Sequence, residues 1–182
     1  MKKVVFILAL AVTAMGAKAQ VFEKGTNMVN VGVGFGTALG GLGTARPAIS
    51  ASYEHGVWDI GGPGVISLGG YIGNTGYRYT GVGMGTSYRQ KWNYTIVGVR
   101  GAYHYNGFDN AEKFDLYGGL MLSYNIVSYS DNVGSGLNNA YGSGLGLTGF
   151  IGGRYLFTDN IGAFAELGYG VSVLNVGVSF KF

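Results

Sequence analysis

From Val173 to Phe182 the chain alternates without a slip. Leu174, Val176, Val178, Phe180 and Phe182 share one face of an extended strand, and Val173, Asn175, Gly177, Ser179 and Lys181 share the other. The first face is wholly apolar; the second is polar or small apart from Val173. A strand placed between lipid and a wet lumen reads this way. The same period of two predicts seven further strands, near Met28–Ala38, Arg46–His55, Gly64–Gly73, Trp92–Tyr105, Lys113–Ile126, Leu145–Phe157 and Ile161–Tyr169. Val31, Ile49, Ile72, Val99, Leu122, Ile151 and Leu167 fall on the apolar sets. These lengths suit spans of roughly 9–11 residues tilted across a bilayer. The expected fold is all-β, an antiparallel up-and-down transmembrane barrel of about eight strands.

An even strand number puts both termini at the periplasmic side, which makes Asn74–Lys91 and Val127–Gly144 the long extracellular connections and Thr158–Asn160 a tight periplasmic turn. Outward aromatics then sort to the two interfaces. Tyr53, Tyr103, Tyr105, Phe114, Tyr155, Phe157, Phe180 and Phe182 gather at the periplasmic ends, and Phe35, Tyr124 and Tyr169 at the outer ends.

Ahead of the strands, Lys2 and Lys3 precede an apolar run from Val4 to Val12 and the small-x-small triplet Ala17-Lys18-Ala19. That is the pattern of a secretory signal peptide over residues 1–19, with a barrel domain over 20–182. The run is too short for a membrane-spanning helix, which takes ~20 apolar residues. Lys2, Lys3 and Lys18 lie inside it and no acid does. Removing those three from 12 Lys and Arg leaves 9 against 9 Asp and Glu, so the remaining chain is formally neutral and advertises no nucleic-acid partner. Charged residues make up only 12%, about half the usual share for a soluble domain, with 36 Gly and 14 Tyr and no Cys. A secreted soluble barrel with the apolar set turned inward would show water a surface of glycine, serine and few charges, which solvates poorly.

The charges inside the predicted strands, Arg46, Glu54, Arg100, Asp115, Arg154, Glu166 and Lys181, all fall on the inward sets. A lipid-facing Arg or Lys at the bilayer midplane would cost roughly 2–4 kcal/mol. A three-residue loop after Thr158 would set Arg154 opposite Glu166, and Arg100 and Asp115 pair similarly. Two readings stay open here: a charged gate in a narrow pore, or a hydrogen-bonded network plugging the lumen. An interior of ~8 strands is just filled by side chains. Glycine runs such as Gly32–Gly36 lack the following helix that a phosphate-cradling loop requires, and read as room beside bulky lumen residues.

His55 and His104 are the only histidines, both at periplasmic strand ends. They make no metal site, and a Ser/His/acid constellation is hard to assemble from them. In the outer connections Tyr77, Arg78, Tyr79, Tyr88, Arg89, Tyr129 and Tyr141 interleave rings and cations. They either grip phosphates or sugars, or form cross-strand pairs on strands that run past the membrane.

With its alternating final strand and terminal Phe182, the chain resembles the small outer-membrane β-barrels of the OmpX and OmpA-domain kind. It is also similar to the short porin-family barrels of the Bacteroidetes. The resemblance implies an outer-membrane location, contact with outer-membrane lipid and lipopolysaccharide, and a monomer without cofactor. It further implies that Phe180 and Phe182 serve as the signal to the barrel-assembly machinery. The leading expectation is a non-enzymatic barrel with an envelope-structural or surface-interaction role. A narrow pore is the alternative, and a lipid A-modifying enzyme the second.

Overall fold

The computed structural model describes residues 21–36, 44–61, 63–83, 86–105, 107, 113–131 and 143–182, with backbone alone at 44, 45, 82, 83, 86–88 and 131. The expected signal segment, Tyr141 and the side chain of Tyr88 lie outside the described residues. Eight strands form the barrel: β1 (Asn27–Phe35), β2 (Ala48–Asp59), β3 (Gly64–Gly83), β4 (Thr86–Tyr105), β5 (Phe114–Asp131), β6 (Gly144–Leu156), β7 (Ile161–Gly168) and β8 (Leu174–Lys181). Each pairs antiparallel with its neighbours in sequence. The sheet closes where β1 meets β8, in a register from Met28 opposite Lys181 to Phe35 opposite Leu174. Closure leaves no sheet edge at that seam, the condition for a sheet to cross lipid.

The period-two faces fall as the sequence predicts. Exposed apolar side chains from every strand, among them Val31, Ile49, Ile72, Val99, Leu122, Ile151, Leu167 and Val178, make one continuous outer belt. Tyr53, Tyr103, Tyr155, Phe157, Phe180 and Phe182 ring the end that carries the termini, and Phe35, Tyr124 and Tyr169 ring the other.

Three strands run well past the predicted spans. β3 and β4 have 20 residues each and β5 has 18, against the roughly 9–11 that a tilted crossing takes. The β3–β4 ladder continues unbroken from Gly64–Tyr105 to Gly83–Thr86. Most of the segment expected to be a loop, 74–91, is therefore a hairpin projecting beyond the belt. Past Gly73 both faces are polar or aromatic, so the alternation that marks a half-lipidic strand is lost while the pairing goes on.

The β6–β7 register differs from expectation by two residues. Arg154 stands opposite Phe164, and Glu166 opposite Gly152. Thr158 sets this register: its Oγ1 accepts from the amides of Asn160 and Ile161, while the amides of Phe157 and Thr158 donate to the Ile161 carbonyl. A slip of two keeps every side chain on its face but changes its partner.

Residues from outside the strands close both ends of the lumen. At the terminus end Val21 and Phe22 fold inward and pack with Met28, Val65 and Leu156. This segment is tied to β2 at Gly56, whose amide donates to the Thr26 carbonyl and whose carbonyl accepts from Gly25. A side chain at Gly56 would strike the Glu23 carbonyl, so the close approach requires glycine. At the hairpin end the β7–β8 connection dips in, and Val171 is fully buried against the cluster of Tyr71, Met121 and Phe150.

Candidate functional site

The lumen charges that the sequence singles out converge, with partners exchanged. Arg154 lies on β6 opposite Asp115 of β5. Its Nη1 donates to Asp115 Oδ2 at 2.8 Å, Nη2 to Glu54 Oε2 at 2.6 Å and Nε to Ser179 Oγ at 3.2 Å. Arg100 on β4 takes Glu166 instead, with Nη2 to Oε2 at 2.7 Å and Nη1 to Oε1 at 3.4 Å. Glu54 joins the two halves. Its second oxygen lies 3.2 Å from Arg100 Nη2, in an ion-pair contact without hydrogen-bond alignment. The expected pairings of Arg154 with Glu166 and of Arg100 with Asp115 are thus corrected. The Thr158 turn moves Glu166 away from Arg154, and barrel curvature brings Glu54 across to it.

Aromatic faces support both cations, Phe150 under Arg100 at 3.8 Å and Tyr117 under Arg154 at 4.8 Å. Ser179 relays to Asn30, and Asn30 to Ser52. Charges this deeply buried persist only when paired and hydrogen-bonded. The space left beside Tyr71, Arg100 and Phe150 is about 10 Å3, room for a single water at most.

Glu54 and Arg100 reach each other across β3 because Gly69 stands opposite both. A Cβ at Gly69 would strike the Tyr53 carbonyl. Gly69→Val is expected to lose about 1–3 kcal/mol or more through overpacking, read as a lower temperature for the heat-dependent band shift on SDS gels.

Histidine chemistry is where sequence reasoning fell short. Ser67, His104 and Asp115 do assemble: Ser67 Oγ lies 2.9 Å from His104 Nε2, and His104 Nδ1 lies 3.0 Å from Asp115 Oδ2. A carboxylate only accepts, so in the neutral ring Nδ1 carries the proton and Ser67 donates to Nε2. No pairwise spacing foretells this, since β3, β4 and β5 meet only through their registers. The arrangement lies inside the lumen. All three side chains are fully buried, and Phe22 stacks on the imidazole with centroids 3.7 Å apart and planes within 5°. Its evident work is to fix the Asp115 carboxylate that receives Arg154. His55 lies apart at the terminus end, with Nδ1 2.9 Å from Asn27 Oδ1.

Phe22 and Val171 escaped sequence reasoning altogether. Phe22 lies in the segment before β1 and Val171 in the short β7–β8 connection, both without periodicity, and the only available signal was an apolar residue outside any strand.

Arg46 is not a lumen residue, which corrects its sequence placement. Between the pairs Ala45–Tyr77 and Ile49–Asn74, three residues on one side match two on the other. Pro47 has no amide to donate, and the extra residue forms a bulge that turns Arg46 onto the outer face. There its guanidinium donates to Asn74 Oδ1 and, at 3.0 Å, to Asn93 Oδ1. Lys181 keeps its inward position, half-buried at the terminus end in the cross-strand row of Met28 and Glu54. Phe180 and Phe182 face outward beside the β1–β8 seam.

On the projecting hairpin Tyr77, Trp92 and Tyr129 are cross-strand neighbours, with ring centroids 6.0 and 5.2 Å apart. These rings stiffen the hairpin against β5. Tyr79 is half-buried, and Arg78 and Arg89 are exposed. A cleft of about 500 Å3 opens beside Arg46, Arg78, Lys91, Trp92 and Asn93.

No protein-family model matches this sequence, and no curated protein does. Solved structures do. The chain is similar to Ail, the attachment invasion locus protein of Yersinia pestis, in its complex with the heparin analogue sucrose octasulfate. The TM-score is 0.53 at 14% identity, over 88% of this chain and 100% of that one. It is also similar to the N-terminal β-barrel domain of Pseudomonas aeruginosa OprF, with a TM-score of 0.49 at 16% identity, over 87% of this chain and 98% of that domain. At these identities the likeness to Ail speaks for the fold alone: a small closed antiparallel β-barrel.

Proposed function

We propose that this chain is a non-enzymatic barrel of the Gram-negative outer membrane, structural in its body and interactive through the projecting β3–β4 hairpin. One observation carries the reading. The lumen is filled along its length by Phe22, the Arg154–Glu54–Arg100 cluster and Val171, while the hairpin extends far beyond any crossing. Beside Arg100 and Glu166 the space left is about 10 Å3, too little for a stream of hydrated ions, and Ser67 and His104 are buried with Phe22 stacked on the imidazole. The plug is therefore favoured over the pore and the enzyme.

The belt of exposed apolar side chains between two aromatic rings supports outer-membrane residence. The export signal at residues 1–19 and an assembly role for Phe180 and Phe182 belong to the same reading. Ail was crystallised with a sulfated sugar, which is consistent with a surface role for barrels of this shape.

In outer-membrane fractions the protein is expected to migrate differently on SDS gels before and after boiling. Purified and inserted into a planar bilayer, it is expected to pass no steady current. A sustained single-channel conductance would overturn the plug and restore the pore.

A further inference from the structure

We infer that Arg46, Arg78 and Lys91 form a binding site for the phosphate groups of a glycolipid in the surrounding outer leaflet. The inference rests on the membrane-spanning reading above. Arg78 and Lys91 are directly opposed in the β3–β4 ladder, and both stand on the outward face. Like charges so placed repel. The bulge at Pro47 brings Arg46 to the same face, at the level of Gly76 and Asn93. Gly76, lacking a side chain, lets the Arg46 guanidinium lie over it, and Arg46, Arg78 and Lys91 line a cleft of about 500 Å3.

The neighbouring outward positions hold Asn74, Thr80, Asn93, Thr95, Ser128 and Ser130, with a further cation, Arg89, opposite Thr80. Among the described residues no carboxylate stands on this face beyond Ile72. Cations gathered on one face without an acid are complementary to an anion.

Depth and direction select the source of that anion. Gly76 lies four residues past Ile72, about 13 Å along the strand at ~3.3 Å per residue, and roughly 9–10 Å along the membrane normal at a tilt of ~45°. That is the headgroup layer just beyond the hydrocarbon. Arg78 and Lys91 point sideways from the barrel wall, toward neighbouring lipid, and Asn74 and Asn93 hold Arg46 in place. Phosphate oxygens matched to guanidinium donors suit this geometry.

The test is native mass spectrometry of the full barrel in detergent, titrated with diphosphoryl lipid A and with lipid A stripped of its phosphates. The intact protein is expected to prefer the diphosphoryl form by about tenfold or more, the scale of charge-assisted bonds to an anion. Arg78→Gln with Lys91→Gln is expected to abolish the preference, and Arg46→Gln to weaken it. Lys113→Gln, at the opposite end, should leave it unchanged.

Each variant is first checked for the heat-dependent band shift, and the single substitutions serve if the double one does not fold. Equal binding of the two lipids overturns the site, as does a preference that survives in a folded double variant. Binding of a soluble sulfated oligosaccharide that lipid A does not displace assigns the cleft to a different anion and overturns it too. A parent protein without a band shift fails earlier, at the barrel itself.

Discussion

Arg154→Met is expected to destabilise the barrel by about 3–5 kcal/mol, the cost of breaking a buried ion pair from one side. The guanidinium uses Nε, Nη1 and Nη2 on three different strands, through Ser179, Asp115 and Glu54. Methionine fills comparable volume but leaves Glu54 and Asp115 facing each other in a dry interior. Equilibrium unfolding in urea, with the protein in detergent micelles, should show the midpoint fall at nearly unchanged slope. Adding Glu54→Gln to Arg154→Met should restore part of the loss, because one uncompensated charge is removed. Strict additivity of the two substitutions would mean that the ion pair carries no coupling. Arg154→Lys should not rescue, since one ammonium cannot span three acceptors set in a fork.

Phe22→Ala is expected to cost about 3 kcal/mol or more, within the range for removing a buried phenylalanine. The ring is fully buried, lies flat on His104 and closes the terminus end with Val21 and Leu156. The same variant separates two roles of the plug. If Phe22 alone blocked ions, its removal would open a current. The Arg154 and Arg100 cluster above it still fills the lumen, so a planar bilayer should show lower stability without steady conductance. A conducting Phe22→Ala barrel would place the seal in the N-terminal segment alone.

The two substitutions act on different ends of one design. The strands keep their charges on the inner face and apolar side chains on the outer one, and the paired charges then hold the strands in register. The Ser67–His104–Asp115 chain belongs to that scaffold. Its geometry matches a nucleophile, base and orienting acid, with Phe22 covering the imidazole, and its hydrogen bonds tie β3, β4 and β5 together.

Alternation alone determined a great deal here. Every strand separates two different surroundings, and each residue's choice of face is written locally as apolar or polar. Val31, Ile49 and Leu122 could be placed outside, and Glu54, Arg100, Asp115, Arg154 and Glu166 inside, without any knowledge of neighbours. The aromatic rings at the two ends follow from the same rule. Tertiary structure alone decided who meets whom. A two-residue slip at the Thr158 turn keeps every face and changes every β6–β7 partner, so Glu166 leaves Arg154 for Arg100 while Arg154 finds Glu54. One extra residue at Pro47 does the opposite and turns Arg46 from the lumen to the outer face. Phe22 and Val171 enter the lumen from segments with no period to read. Facing is a property of single positions, whereas register, bulges and plugs are properties of the closed sheet, and only the closed sheet could settle them.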